Sequence, residues 1–210
     1  MRTGLLVVVG MATEARILGG EHRVIVGTAG LEAALGDYPA GVISFGLCGA
    51  LDPALSAGDL VIADGVVTPA GRIATDGAWA ARLAAALPAA ARGDVAASGM
   101  MASSREEKAA LRVGTGAGIV DMESHRVAQG AAWAAIPFAV VRAVSDAAAD
   151  ALPRCAQAGF REDGQTDIAA VLRALARRPW EFPALIRTAR GAGKALKSLG
   201  KAAKVLAPPA

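Results

Sequence analysis

Two short acidic stretches carry the residue types that chemistry needs. Gly118-Ile119-Val120-Asp121-Met122-Glu123-Ser124 places two carboxylates after an apolar pair. Val140-Val141-Arg142-Ala143-Val144-Ser145-Asp146 repeats the arrangement, with an arginine and a serine ahead of the acid. An ionised carboxylate accepts hydrogen bonds through two oxygens, and a protonated one can donate. Such groups can hold hydroxyls or act as general acid and base. Glu14 is a third acid, placed after the apolar run Leu5–Val9 and Gly10. Taken singly, each acid reads as a helix cap or a surface charge. Two strand-end acid sites in one small chain shift the balance toward a functional site.

The elements that must position these acids follow from the pattern. Leu5–Val9 and Phe138–Val141 are unbroken apolar runs, as expected of strands buried in a parallel sheet. Carboxylates at the carboxyl ends of such strands sit where open α/β sheets bind ligands. Arg23–Val26, Gly41–Phe45, Leu60–Asp64 with Val66–Thr68, and Val95–Met101 add further strands. Helices are expected from Met11, over Leu31–Leu35, over Asp76–Leu87, from Ser103 or Ser104 with a Glu106 or Glu107 capping box, and over Ser124–Ala135. Thr13 or a neighbour would cap the first, with Glu14 near its positive end. Gly27-Thr28-Ala29-Gly30 and Gly46-Leu47-Cys48-Gly49 read as small-residue turns able to present N–H groups to an anion or ligand oxygen. Gly114–Gly118 leads into a strand, not a helix, so it is no dinucleotide fingerprint. The alternation predicts an α/β fold of three layers, with a mostly parallel central sheet flanked by helices.

Composition narrows the class. The chain has 210 residues, 54% of them apolar and 4% aromatic, which suits one well-packed domain and argues against disorder. No apolar run approaches the roughly 20 residues of a membrane span. No signal peptide is read at the start. Cys48 and Cys155, with only His22 and His125 beside them, show no metal spacing, so no metal and no cofactor are expected. Free thiols and no export signal point to the cytoplasm.

Charge is unevenly spread. Arg173 to Lys204 holds nine basic residues against Glu181 alone, a balance of +8, so the remainder carries 3 − 8 = −5. We divide the chain accordingly into a catalytic domain, 1–178, and a basic amphipathic tail, 179–210. In the tail, Leu185, Ala189, Ala192, Leu196, Leu199, Ala203 and Leu206 recur at helical spacing. Arg187, Arg190, Lys194, Lys197, Lys201 and Lys204 fall on the opposite face. Such a helix either lies in the plane of an anionic membrane surface or docks on the body with a solvated basic face. Nucleic acid is not an expected partner, because no aromatic residues interleave with the charges.

Taken together, Gly10-Met11-Ala12-Thr13-Glu14, Gly46-Leu47-Cys48-Gly49-Ala50-Leu51 with Gly58-Asp59, Val120-Asp121-Met122-Glu123 and Arg142-Ala143-Val144-Ser145-Asp146 resemble the nucleoside phosphorylase family, over about Leu5 to Asp146. They are most similar to its methylthioadenosine/S-adenosylhomocysteine nucleosidases. The tail, with Asp167–Leu172 and Pro183–Arg187, resembles the hopanoid-associated branch, which cleaves adenine from adenosylhopane to give ribosylhopane. The resemblance implies that Glu123 holds the ribose hydroxyls, Met122 packs beneath the sugar and Asp146 is general acid toward N7 of adenine. Ser145 and Arg142 would support Asp146, Glu14 would activate the attacking water, and Met101 would lie against the base. Gly46, Leu47, Cys48 and Gly30 would line the turns around the sugar and its attacking group. It also implies a homo-oligomer, most simply a dimer, with a neighbour closing the 5′ side.

The departures bear on the reaction. Leu47 and Cys48 replace small polar residues, Gly99 replaces an aspartate, and Arg16 is the nearest candidate for holding phosphate. An acid at Glu14 would repel phosphate. Hydrolysis is therefore expected over phosphorolysis. The alternatives are a phosphorylase yielding a sugar 1-phosphate and an inactive membrane-associated scaffold.

Overall fold

A computed structural model describes residues 3–20, 22–161 and 164–209. Eight strands form one sheet: β1 Thr3–Val9, β2 Arg23–Val26, β3 Pro39–Ala50, β4 Leu60–Thr68, β5 Gly71–Ala74, β6 Ala91–Ala97, β7 Ile119–Asp121 and β8 Phe138–Asp146. The helices are α1 Ala12–Ile17, α2 Leu31–Gly36, α3 Gly77–Ala86, α4 Arg105–Thr115, α5 Ser124–Trp133, α6 Arg154–Gln157, α7 Ile168–Arg177 and α8 Phe182–Ala203, the last preceded by a 3-10 turn at Pro179–Glu181. The expected α/β class holds, with a mixed sheet. β1 pairs in parallel with β2 and β3, β3 with β8, and β6 with β4 and β7. The pairs β3–β7, β4–β5 and β4–β8 are antiparallel. Read around, β3–β8–β4–β6–β7 returns to β3 and closes a ring.

Side-chain alternation divides the core between two faces. Leu6 and Val8 of β1, with Val42 and Val140, pack under α2 and α5. Leu5, Val7 and Val9, with Ile43 and Val141, pack under α1, α3 and α8. Helix starts follow local chemistry. Asp76 accepts from the Trp79 N–H, Ser104 forms a capping box with Glu107, and Asp167 accepts from the Ala170 N–H.

Several expectations are corrected. Thr13 caps nothing. Met11 is the N-cap of α1, and the Glu14 side chain takes its backbone N–H. Gly46-Leu47-Cys48-Gly49 is not a turn: β3 runs through it to Ala50, with a register shift after Cys48. β6 begins at Ala91 and ends before Ser98. β5 and α6 had no counterpart in the pattern. Pro179 and Pro183 both follow the end of α7 at Arg177, and Pro183 lies inside α8. It occupies the first turn of α8, where its missing N–H costs no bond.

The tail helix is docked. Gly191, Ala195, Leu199 and Ala202 of α8 are buried, and the last three belong to the α1/α3 side of the core. The buried stripe is rotated about one position from the expected one, and Ala189 is exposed. Arg187, Arg190, Lys194, Lys197, Lys201 and Lys204 face outward. Among the described residues no helix is long and apolar enough to cross a membrane.

Candidate active site

The acids converge at the carboxyl ends of β1, β7 and β8, each of which pairs with β3. Glu14 lies in the first turn of α1, just past β1, and is 2% exposed. Its Oε2 accepts from the N–H groups of Gly10 (2.9 Å) and Met11 (2.8 Å), and its Oε1 from that of Leu47 (2.8 Å) on neighbouring β3. The helix-capping reading of Glu14 is thus half right. The carboxylate serves its own helix start and also reaches 33 residues along the chain to β3. Burial pushes its pKa upward, opposed by the Arg142 guanidinium and the three backbone donors.

Glu123 is the N-cap residue of α5, one quarter of its side chain open. A Cβ on Gly10 would stand 2.9 Å from its Oε1, and a Cβ on Gly46 would stand 2.6 Å from Oε1 of Glu14. Both glycines are therefore required by the close approach of the two acids. Burial raises the Glu123 pKa, Arg142 lowers it, and the nearby Asp121 and Glu14 carboxylates raise it further.

Arg142 is the buried hub of this end. Its alternation along β8 aims it at the α5 side, opposite Gly46 of β3. Its Nε is 2.6 Å from Asp121 Oδ2, and Nη2 is 3.6 Å from Glu123 Oε2. Nη2 also donates to Ser44 Oγ (2.7 Å) and Ser124 Oγ (3.2 Å). Burial disfavours the charged guanidinium, but Asp121, Glu123 and Glu14 outweigh this and hold its pKa above the ordinary value. Asp121 is tied in turn by the N–H (3.0 Å) and the hydroxyl of Ser124. Arg142 thus orients Glu123 and Asp121 directly, and supports Asp146 only as a neighbour on the same strand.

Asp146 ends β8, opposite Gly49, whose added Cβ would be 3.2 Å from Oδ2. Ser145 Oγ donates to Asp146 Oδ1 (2.5 Å) and lies 3.0 Å from the Cys48 carbonyl. Lys108 of α4 reaches the end of this apolar strand, and its ammonium donates to Asp146 Oδ2. A cavity of about 400 Å³ opens beside this end, its lining including Ser145, Asp146, Asp150, Arg187 and Arg190.

Other expected residues divide. Leu47 contributes backbone only, and Cys48 contributes a carbonyl while its thiol points into the core, its pKa pushed well up by burial. Met122 is 41% exposed beside Glu123, and Met101 is half-buried in the link between β6 and α4. Gly30, at the exposed start of α2 beyond edge strand β2, has nothing within 4 Å of its Cβ position and does not join the cluster. The pattern missed Lys108, Ser44 and Ser124. Lys108 sits in a run of charges that reads as a solvated helix turn, and the two serines carried no signal beyond lying on apolar elements.

This fold has known counterparts. The Phosphorylase superfamily matches residues 17–177, and the chain belongs to that superfamily. No curated protein matches the sequence. Among solved structures it is similar to the S-adenosylhomocysteine nucleosidase of Streptococcus pyogenes in complex with 5-methylthiotubericidin, at 18% identity and TM-score 0.67 over 100% of this chain and 99% of that one. It is also similar to the 5′-methylthioadenosine/S-adenosylhomocysteine nucleosidase of Neisseria meningitidis in complex with methylthio-immucillin-A, at 21% identity, TM-score 0.65, 98% and 100% coverage. A futalosine hydrolase mutant of Helicobacter pylori matches at 17% identity, TM-score 0.64, 98% and 100% coverage. At these identities the likeness is one of fold.

Proposed function

We propose that the protein is a purine nucleosidase that hydrolyses the N-glycosidic bond of a 5′-substituted adenosine and releases adenine. The observation that carries this reading is the convergence of Glu14, Glu123 and Asp146 at one end of the sheet, each held by different partners. Glu123, partly open and steadied by Arg142, accepts hydrogen bonds from the ribose hydroxyls. Asp146 protonates the leaving base. Glu14, gripped by three N–H groups, keeps one lone pair free to orient a water and take its proton. The C1′–N9 bond breaks with its electron pair going to the purine. N7 receives the proton from Asp146, and water adds to C1′ as Glu14 accepts its proton. Carboxylates beside the ring stabilise the oxocarbenium character that develops.

Hydrolysis is favoured over phosphorolysis by the Leu47 N–H. It lies in the glycine segment where an attacking anion would bind, and it is already bonded to Glu14. A carboxylate there repels phosphate.

The finer substrate in this reading is adenosylhopane, cleaved to ribosylhopane, with the enzyme visiting a membrane to reach it and working as a dimer. The apolar face of α8 is committed to the core, so it is not the membrane-facing surface. Support comes from the preceding segment instead. α7 has no buried residue, and Ile168, Leu172, Trp180 and Phe182 are exposed next to Arg173 and Arg177. Apolar side chains among cations suit an anionic lipid surface.

The test is adenine release from methylthioadenosine and from adenosylhopane in detergent, each with and without phosphate. Release without phosphate is expected, and phosphate dependence would move the assignment to phosphorolysis. Glu123→Gln should lower kcat/KM roughly 10- to 100-fold, the value of hydrogen bonds to a charged acceptor. Unchanged turnover in that variant would remove Glu123 from the site. No adenine from either nucleoside would leave the scaffold reading.

A further inference from the structure

Lys108 is the buried residue of α4, its side chain 1% exposed. Lysine is almost never fully buried unless paired, and this one is fully partnered. Its ammonium has three donors. They go to Asp146 Oδ2, the Ala147 carbonyl (2.9 Å) and the Asp150 carbonyl (2.9 Å). The same loop is fastened to the start of α4 by the Leu152 N–H on the Ser103 carbonyl (2.8 Å). A charge buried at such cost, aimed at one oxygen of one candidate catalytic acid, calls for a role beyond packing.

The hydroxyl of Ser145 defines the other oxygen. It has one proton and two acceptors in reach, the Cys48 carbonyl at 3.0 Å and Asp146 Oδ1 at 2.5 Å. Oδ2 is taken by the ammonium and Oδ1 only by that one hydroxyl, so the oxygen left to exchange a proton with a bound substrate is Oδ1.

We propose that Lys108 is a positioning residue for Asp146: it holds Oδ2, directs the acidic proton to Oδ1, and stabilises the carboxylate that forms as that proton passes to N7 of the leaving purine. The inference rests on the nucleosidase reading above. Its physical content is differential. A lysine ammonium interacts weakly with a neutral carboxyl group and strongly with a carboxylate. Its attraction therefore grows as the proton leaves and is felt most in the transition state.

The experiment is a mutant cycle on the full chain, using whichever of methylthioadenosine and adenosylhopane the wild type turns over. Lys108→Met, Asp146→Asn and the double variant are compared for kcat and KM, with thermal melting of each. Asp146→Asn should lose about 10²- to 10⁴-fold in kcat, the worth of a general acid. Lys108→Met should lose roughly 10- to 100-fold in kcat at little-changed KM, a part of that same contribution. The double variant should match Asp146→Asn within about threefold, since residues acting through one another are not additive. Lys108→Met removes three buried hydrogen bonds and can destabilise the fold. If it does not fold, Asp146→Asn against the double variant still decides. A double variant slower than Asp146→Asn by 10-fold or more would give Lys108 a separate role and overturn the proposal. So would a fully active Lys108→Met beside a slow Asp146→Asn. A fully active Asp146→Asn would instead remove the acid assignment itself, and this inference with it.

Discussion

Two glutamates are held within reach of one arginine, and the residues between them are glycines because nothing larger fits. Gly10 and Gly46 each leave space that an acid oxygen fills. That crowding has a thermodynamic signature. Burial raises the pKa of Glu14, so the folded protein binds that proton more tightly than the unfolded chain does. The stabilisation is complete below the ordinary glutamate range and is lost as pH rises through the raised folded value. Glu14→Gln removes the ionisation, so its stability relative to wild type should increase as pH rises above the ordinary glutamate range. Urea unfolding of both proteins at several pH values measures this. A difference independent of pH would show that the three N–H donors and Arg142 fully offset burial. Activity should fall in the variant even where stability rises, as expected where function is built on strained charge.

At the scale of elements, α8 depends on one missing side chain. A Cβ on Gly191 would stand 2.1 Å from the Ser145 carbonyl oxygen. Gly191→Ala should therefore cost about 1–3 kcal/mol by overpacking, read as a lower urea midpoint, and should reduce turnover because the displaced backbone carries Ser145 and Asp146. A variant as stable and active as wild type would show that the helix can shift freely there. The pattern of apolar residues in the sequence made most elements legible. The strands with unbroken apolar runs were evident, as was the Ser104 capping box. So were the acids Glu14, Glu123 and Asp146, because each follows an apolar strand. The glycines misled. Gly46 and Gly49 read as a turn, yet they thin a strand so that Glu14 and Asp146 can lie against it. Gly191 lowers the intrinsic stability of its helix, yet it is the point of closest contact with the sheet. Lys108 was illegible for a related reason. Its neighbours are charged and exposed, and only the fold turns that one side chain inward. Register also escaped. The apolar and basic stripes of α8 were visible, but the exact face that docks is set by close packing at Gly191, not by periodicity.

Viewed whole, the molecule carries its basic residues on a helix whose apolar face is already used. The proposed membrane contact therefore falls to the exposed side chains of α7, the 3-10 turn and the first residue of α8. Trp180→Ala with Phe182→Ala should weaken binding to phosphatidylserine-containing vesicles, read by co-sedimentation, by about 100-fold or more, given roughly 1.5–3 kcal/mol per large apolar side chain withdrawn from water and about 1.4 kcal/mol per tenfold, while leaving turnover of methylthioadenosine unchanged. Equal sedimentation of both proteins would leave the arginines as solvated charge. The strand ring has a separate consequence, for the order in which the protein can be made. β8 lies between β3 and β4, which precede it by some seventy residues or more. Until the ribosome has delivered β8, those two strands have no partner along the edges it will fill, and unpaired edges invite pairing between chains. A nascent chain stalled before Phe138 would present two such edges at once. Synthesis of this enzyme is thus exposed to association from the emergence of β4 until its eighth strand arrives.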